Sequence, residues 1–164
     1  MIIEGAAVAI SEDNVDTDVL YPGPFLNIED PERMRAHLFE GLDPSLRDLL
    51  QGDTVLVVGE NFGSGSSREH VPHAMRASGV RCVVGRSFAR IFYRNCINLG
   101  LLVLQVPGVE AQHGERVRID TESGEIRIAE RAYQARPVPQ FMLDTVLAGG
   151  LVQWGRQRSG AAAS

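Results

Sequence analysis

Apolar and polar positions follow two rhythms along this chain. Ile2–Ile10 is a run of apolar and small residues interrupted by Glu4 and Gly5, which predicts a first β-strand. Asp53–Gly59 (DTVLVVG), Val80–Gly85 (VRCVVG) and the run LLVLQVPG from Leu101 are short and predominantly apolar, as strands buried on both faces are. Between them the spacing turns helical. SREHVPHAMRASG ends at Gly79 and tolerates Pro72 only in a first turn, so its helix is expected to start within Ser67–His70. SFARIFYRNCINLG places Phe88, Ile91, Phe92, Cys96 and Leu99 near helical spacing and stops at Gly100.

Residues 53–107 thus alternate strand, helix, strand, helix, strand, which predicts a parallel sheet with crossover helices. The pattern then changes. Glu115–Ile128 alternates apolar and polar positions around ESGE and predicts a β-hairpin. Ala129–Pro139 adds a short strand, and Gln140–Leu147 a short helix stopped by Gly149 and Gly150. Upstream, Ser11–Pro31 reads as a long loop with Glu12, Asp13, Asp16 and Asp18 ahead of Tyr21. PERMRAHLFEG predicts a short helix from Pro31 to Gly41, and Pro44–Leu50 a further turn or two. The whole chain, 1–164, reads as one domain, with 156–164 as a frayed tail.

Charge narrows the function. Sixteen basic residues against 21 acidic ones give a net charge of −5, which offers no general attraction for phosphate backbones and argues against a nucleic-acid binder. Cys82 and Cys96 belong to no metal-binding spacing and read as buried, reduced thiols. The N-terminus carries Glu4 and lacks a basic leader, and no apolar run reaches membrane-span length. A soluble, cytoplasmic protein without membrane partners is expected. His70 and His73 lie three apart but have no further ligand at a metal-site offset, so no metal is assigned to this chain.

The stretch ENFGSGSSREH, Glu60–His70, is the chemical puzzle. A Gly-rich loop between strand and helix is where phosphate sites occur. The dinucleotide fingerprint fails, because Arg68 stands where its third glycine belongs. The Walker loop fails for want of a lysine, and the nucleophile elbow does not match. Two readings remain. Ser66 and Ser67 cap a helix, or the loop aims backbone amides, two hydroxyls and the Arg68 guanidinium at a carboxylate.

A resemblance weighs on that choice. NFGSGSSREH, with GRSFARIFYRNCINLGLLVL following from Gly85, closely resembles the swivelling domain of the aconitase superfamily. NVDTDVLYPG and FMLDTVLAGGL add a resemblance to the separately encoded small subunits of 3-isopropylmalate dehydratases, over essentially residues 1–155. One departure is Ser64, where many relatives carry Cys. The resemblance implies an α/β fold, layered β/β/α, with a central partly parallel sheet and a C-terminal hairpin. It implies half an active site, active only with a large subunit that bears a 4Fe–4S cluster and interconverts 2- and 3-isopropylmalate by dehydration and rehydration in leucine biosynthesis. By motif match Ser66 is the base, as an alkoxide, and Ser67 with Arg68 binds a substrate carboxylate. Gly63 and Gly65 let the backbone approach. Asp16, Thr17, Asp18 and Arg90 are expected to support the loop.

In such relatives the segment after Asp-Thr-Asp senses the variable group of a small dicarboxylic hydroxy acid. Here Phe25, Leu26, Asn27 and Ile28 include no arginine, and the first basic residue of the chain is Arg33. An isopropyl or methyl group suits that lining better than a second carboxylate. Citramalate isomerase and dimethylmalate dehydratase subunits are the near alternatives, and homoaconitase a weaker one. A binding or regulatory module without catalysis is the alternative of another class.

Overall fold

The structure is a computed structural model and describes residues 1–163. Seven strands form one mixed sheet in the order β4-β3-β2-β1-β5-β6-β7. They are β1 (Ile2–Ile10), β2 (Thr54–Val58), β3 (Val80–Gly85), β4 (Leu102–Gln105), β5 (Arg116–Asp120), β6 (Glu125–Ile128) and β7 (Arg131–Gln134). Strands β1 to β4 are mutually parallel, with α3 (His70–Ala77) and α4 (Arg90–Asn98) as the crossovers. The sheet changes sense at β1, which pairs parallel with β2 (Ile10 opposite Val58) and antiparallel with β5 (Ile3 opposite Ile119). The parallel alternation and the hairpin both match the sequence pattern.

Each face of the sheet has its own core. Val8, Leu56, Val83 and Val103 pack with Val71 and Met75 of α3 and with Phe92 and Cys96 of α4. The opposite face gathers Val55, Cys82 and Leu102 of the parallel half with Val117, Ile119, Ile126 and Ile128 of the antiparallel half. Those two halves share one cluster because the sheet curls onto itself, which gives the β/β/α layering. Helix α5 (Gln140–Leu147) closes that side with Met142, Leu143 and Val146. Every residue of β2 is buried, so burial on two faces explains its unbroken apolar run.

Three local expectations are corrected. Ser11–Pro31 is more ordered than a long loop: it contains α1 (Thr17–Leu20), capped by the Asp16 carboxylate on the Asp18 amide, and a 3₁₀ turn at Gly23–Phe25. The expected Pro31–Gly41 helix is only α2 (Pro31–Met34) with a 3₁₀ turn after it, because Leu38 and Phe39 leave helical geometry to be fully buried. The tail expected to fray continues as α6 (Leu151–Ala163). Its Trp154 packs edge-on to Phe141 and carries the Arg158 guanidinium 4.9 Å above its ring. Ser164 lies outside the described residues. No helix among the described residues is long and apolar enough to cross a membrane.

The carboxyl ends of β1, β2 and β3 bring residues 11–18, 59–69 and 86–89 together, the edge of a parallel sheet where ligands usually bind.

Candidate active site

Two of those segments are stitched side by side. Asn14 donates its amide to the Glu60 carbonyl at 2.8 Å, and the Gly63 amide reaches Val15 at 2.8 Å. The Thr17 amide reaches Ser64 at 2.9 Å, and Asp16 forms a bridge with Ser64. Side chains complete the seam. Asp13 accepts the Glu60 amide at 2.8 Å, and Asn61 donates to Asn14 at 3.1 Å. Asn14 and Asn61 both adopt left-handed backbone, which asparagine tolerates.

Thr17 is the central tie. It is 2 % exposed, and its hydroxyl donates to the Ser66 carbonyl at 2.6 Å. Thr17→Val keeps the shape and deletes this bond. A loss of about 1–2 kcal/mol is expected, read as a lower urea midpoint at unchanged slope.

Glycine is required at two points of the loop. Gly63 has φ +84°, and a methyl group there would lie inside the contact distance of the Phe92 ring. Gly65 has φ +90°, and a methyl group there would meet the Asp16 carboxylate. Both close approaches hold the loop against its supports.

The functional side chains follow. Ser66 and Ser67 are exposed, and Arg68 is half-buried. The Ser66 hydroxyl donates to Asp18 Oδ1 at 3.2 Å. The same oxygen lies 2.9 Å from Arg68 Nη2, and Arg68 Nη1 donates to the Tyr21 carbonyl at 2.6 Å. Ser67 Oγ accepts from Asn95 of α4 at 2.7 Å. The helix-cap reading of the serines fails, since α3 starts at His70 and Glu69 occupies its cap position without a side-chain bond. Pro72 does stand in the first turn.

The Tyr21–Ile28 segment leans on the guanidinium. Gly23 sits beside Arg68 Nη2. Tyr21 is fully buried, and its hydroxyl donates to the Phe25 carbonyl at 2.8 Å. Burial pushes the Tyr21 phenol above its ordinary pKa, which keeps it a donor. His70 stacks on Tyr21 at 5.0 Å and bonds the Leu26 carbonyl at 2.9 Å through Nε2. His37 stacks on Phe25 at 3.7 Å. Phe25 and Ile28 are turned partly into the core, whereas Leu26 and Asn27 are exposed. The four residues named from sequence are therefore split between packing and solvent.

Arg90 stands apart from the loop it was expected to support. It opens α4, is exposed, and lines a shallow surface cleft with Arg94, Tyr93 and Met142. The α4 side chain that reaches the loop is Asn95. Sequence reasoning missed Asn95, His70 as a clamp on the loop, and the Tyr21 carbonyl. Only the spacing of Asn95 from Phe92 and Cys96, which puts it off the buried stripe of α4, could have signalled the first.

Metal ligands are not assembled: among the described residues no group of three His, Cys, Asp or Glu could hold an ion. Cys82 and Cys96 are fully buried, and burial pushes both thiols well up, so neither offers a thiolate to an iron–sulfur cluster. A separate cleft of about 400 Å³ is lined by Arg86 and Arg131, each already paired at 2.9 Å, with Glu110 and Glu115 respectively.

Residues 46–108, which hold β2, the serine–arginine loop and α4, match the aconitase C-terminal domain. The fold and loop thus define a swivelling domain of the aconitase type. A 3-isopropylmalate dehydratase small subunit of Caldanaerobacter subterraneus is 43 % identical over 95 % of this chain and 99 % of its own length. The 2,3-dimethylmalate dehydratase small subunit of Eubacterium barkeri is 44 % identical over 87 % of this chain and 90 % of its own. A crystal structure of 3-isopropylmalate dehydratase from Methanocaldococcus jannaschii superposes with a TM-score of 0.93 at 37 % identity, covering 99 % of this chain and 98 % of that one. The chain belongs to the family of 3-isopropylmalate dehydratase small subunits.

Proposed function

We infer that the chain is the small subunit of a hydro-lyase that interconverts 2-isopropylmalate and 3-isopropylmalate by dehydration and rehydration, a step of leucine biosynthesis. Its curated relatives carry that activity in their names over nearly the whole chain. The observation that carries the site is the cluster of exposed Ser66 and Ser67 beside the half-buried Arg68, tied from behind by Thr17, Asn95 and Asp18.

The roles follow from that arrangement. Arg68 is anchored through Nη1 to the Tyr21 carbonyl and through Nη2 to Asp18, and its remaining N–H groups are left for a substrate carboxylate. Ser67, oriented by Asn95, donates its own hydroxyl hydrogen to the same carboxylate. Ser66 takes the carbon-bound proton. Gly63 and Gly65 set the loop close to its supports, while Asp16 and Thr17 fix the loop that carries Asp18. Among the described residues no group could hold a metal ion, and the relatives are named as small subunits; we accordingly assign a 4Fe–4S cluster to a large partner subunit and expect the chain alone to be inactive. Bound there, an iron with an open position would supply Lewis-acid chemistry at the substrate hydroxyl.

Substrate choice rests on the loop beside the guanidinium. Leu26 and Asn27 present no cation, so a second carboxylate would find no charge partner in them. This favours an alkyl substituent and disfavours homocitrate. The Eubacterium barkeri relative makes 2,3-dimethylmalate the second reading. Reconstitution with a cluster-bearing large subunit tests all of this. Activity is expected only in the complex, with isopropylmalate ahead of 2,3-dimethylmalate and citramalate, and homocitrate last. Turnover by the chain alone overturns the two-subunit reading, and a lead for homocitrate overturns the reading of the loop.

A further inference from the structure

Tyr21–Ile28 is a compact turn. The Tyr21 hydroxyl donates to the Phe25 carbonyl at 2.8 Å, and the Leu26 amide reaches the Gly23 carbonyl at 3.1 Å. Two side chains of the serine–arginine stretch hold that turn, and they stand two positions apart in sequence. Arg68 Nη1 donates to the Tyr21 carbonyl, at the base of the turn, at 2.6 Å. His70 Nε2 bonds the Leu26 carbonyl, at its tip, at 2.9 Å. A carbonyl only accepts, so Nε2 of His70 carries the hydrogen. The same ring stacks on Tyr21, with centroids 5.0 Å apart and planes 24° apart.

No other group fixes the tip in this way. Among the described residues no backbone amide donates to the Leu26 carbonyl. His37 stacks on Phe25 at 3.7 Å, but its Nδ1 is buried without a hydrogen-bond partner, so that ring packs and does not bond.

Building on the reading of Tyr21–Ile28 as the loop that meets the substrate's variable group, we propose that His70 is a positioning residue that sets substrate specificity. On that reading Arg68 grips the carboxylate that malate-type substrates share. His70 then sets how far from that carboxylate Leu26, 39 % exposed, stands. An alkyl branch gains contact with Leu26 only while the gap stays closed, because a separation of less than an ångström forfeits much of the dispersion. Without the His70 bond the turn keeps its tie at Tyr21 and loses the one at Leu26, five positions further on. An isopropyl group then loses its apolar wall, whereas a methyl group has less surface to lose. His70 acts through the turn and is no catalytic residue.

The test measures kcat/KM for 2-isopropylmalate and for citramalate in the reconstituted two-subunit enzyme, with assembly checked by size-exclusion chromatography. His70→Phe keeps a ring beside Tyr21 and deletes the donor. His70→Gln keeps an N–H donor at similar reach and deletes the ring. For His70→Phe, the preference for isopropylmalate over citramalate is expected to fall about 5- to 10-fold, chiefly through a raised KM for isopropylmalate. His70→Gln should keep that preference within about twofold of the wild-type value. His70→Asn is too short to reach the Leu26 carbonyl and should behave as His70→Phe, which keeps the test open if the phenylalanine variant assembles poorly. Equal losses on both substrates overturn the proposal, and so does a glutamine variant as unselective as the phenylalanine one. Leu26→Ala separates His70 from the loop it holds. A preference that shifts with Leu26→Ala but not with His70→Phe overturns the positioning role alone. One that shifts with neither overturns the loop reading and the proposal with it.

Discussion

Replacing Ser66 with alanine is expected to lower kcat of the reconstituted enzyme on the order of 10³-fold and to leave its assembly intact. The reasoning separates the hydroxyl from the loop that carries it. Ser66 contributes its backbone carbonyl to the Thr17 tie and its side chain only to Asp18. Alanine keeps the carbonyl, and the side chain is exposed, so no cavity opens and no buried partner is orphaned. Stability should therefore change by no more than about 0.5 kcal/mol. The decisive measurement is kcat beside complex formation with the large subunit. A variant that assembles and turns over near the wild-type rate removes Ser66 as the base.

Gly63→Ala is expected to destabilise the chain by about 2–5 kcal/mol, combining strain at a positive φ with overpacking. The new methyl would overlap the ring of Phe92, which is 3 % exposed and boxed by Phe62 at 5.4 Å and Phe88 at 6.2 Å between ring centroids. That ring cannot retreat without moving α4, and α4 carries Asn95, the partner of Ser67. Gly65→Ala should cost less, because its obstacle is the end of the Asp16 side chain, which can swing aside. Urea unfolding of both variants measures the difference, and equal midpoints would show that Phe92 yields freely.

How far the sequence led differs from element to element. The buried strands and both crossover helices were legible because local periodicity and burial agree there: β2 and β3 are mostly apolar, and α3 stops at Ala77 with the left-handed Gly79 just beyond it. The curl that packs β5 and β6 onto the parallel half is a long-range event without local signature. The shortened α2 was hidden for the same reason, since Leu38 and Phe39 are drawn inward by a core built from distant strands. Within the site, the composition of Ser66, Ser67 and Arg68 pointed to carboxylate chemistry, yet the partner of each side chain could not be inferred. Arg90 and Asn95 share one helix, and only its rotation about its axis decides that the asparagine meets the loop.

The seam between the two loops also fixes when the site can exist. The side-chain bonds that frame it join residues 47 to 50 positions apart. A chain leaving the ribosome N-terminus first presents β1 and its acidic loop long before any partner has been made. Neither Thr17 nor Asp18 gains its role until the segment through Arg68 has emerged and β2 has zipped beside β1. Closing so long an interval is entropically costly and is repaid only by many bonds forming at once. The serine–arginine loop thus depends on contacts made across that interval, and no fragment that stops short of the second strand can carry it.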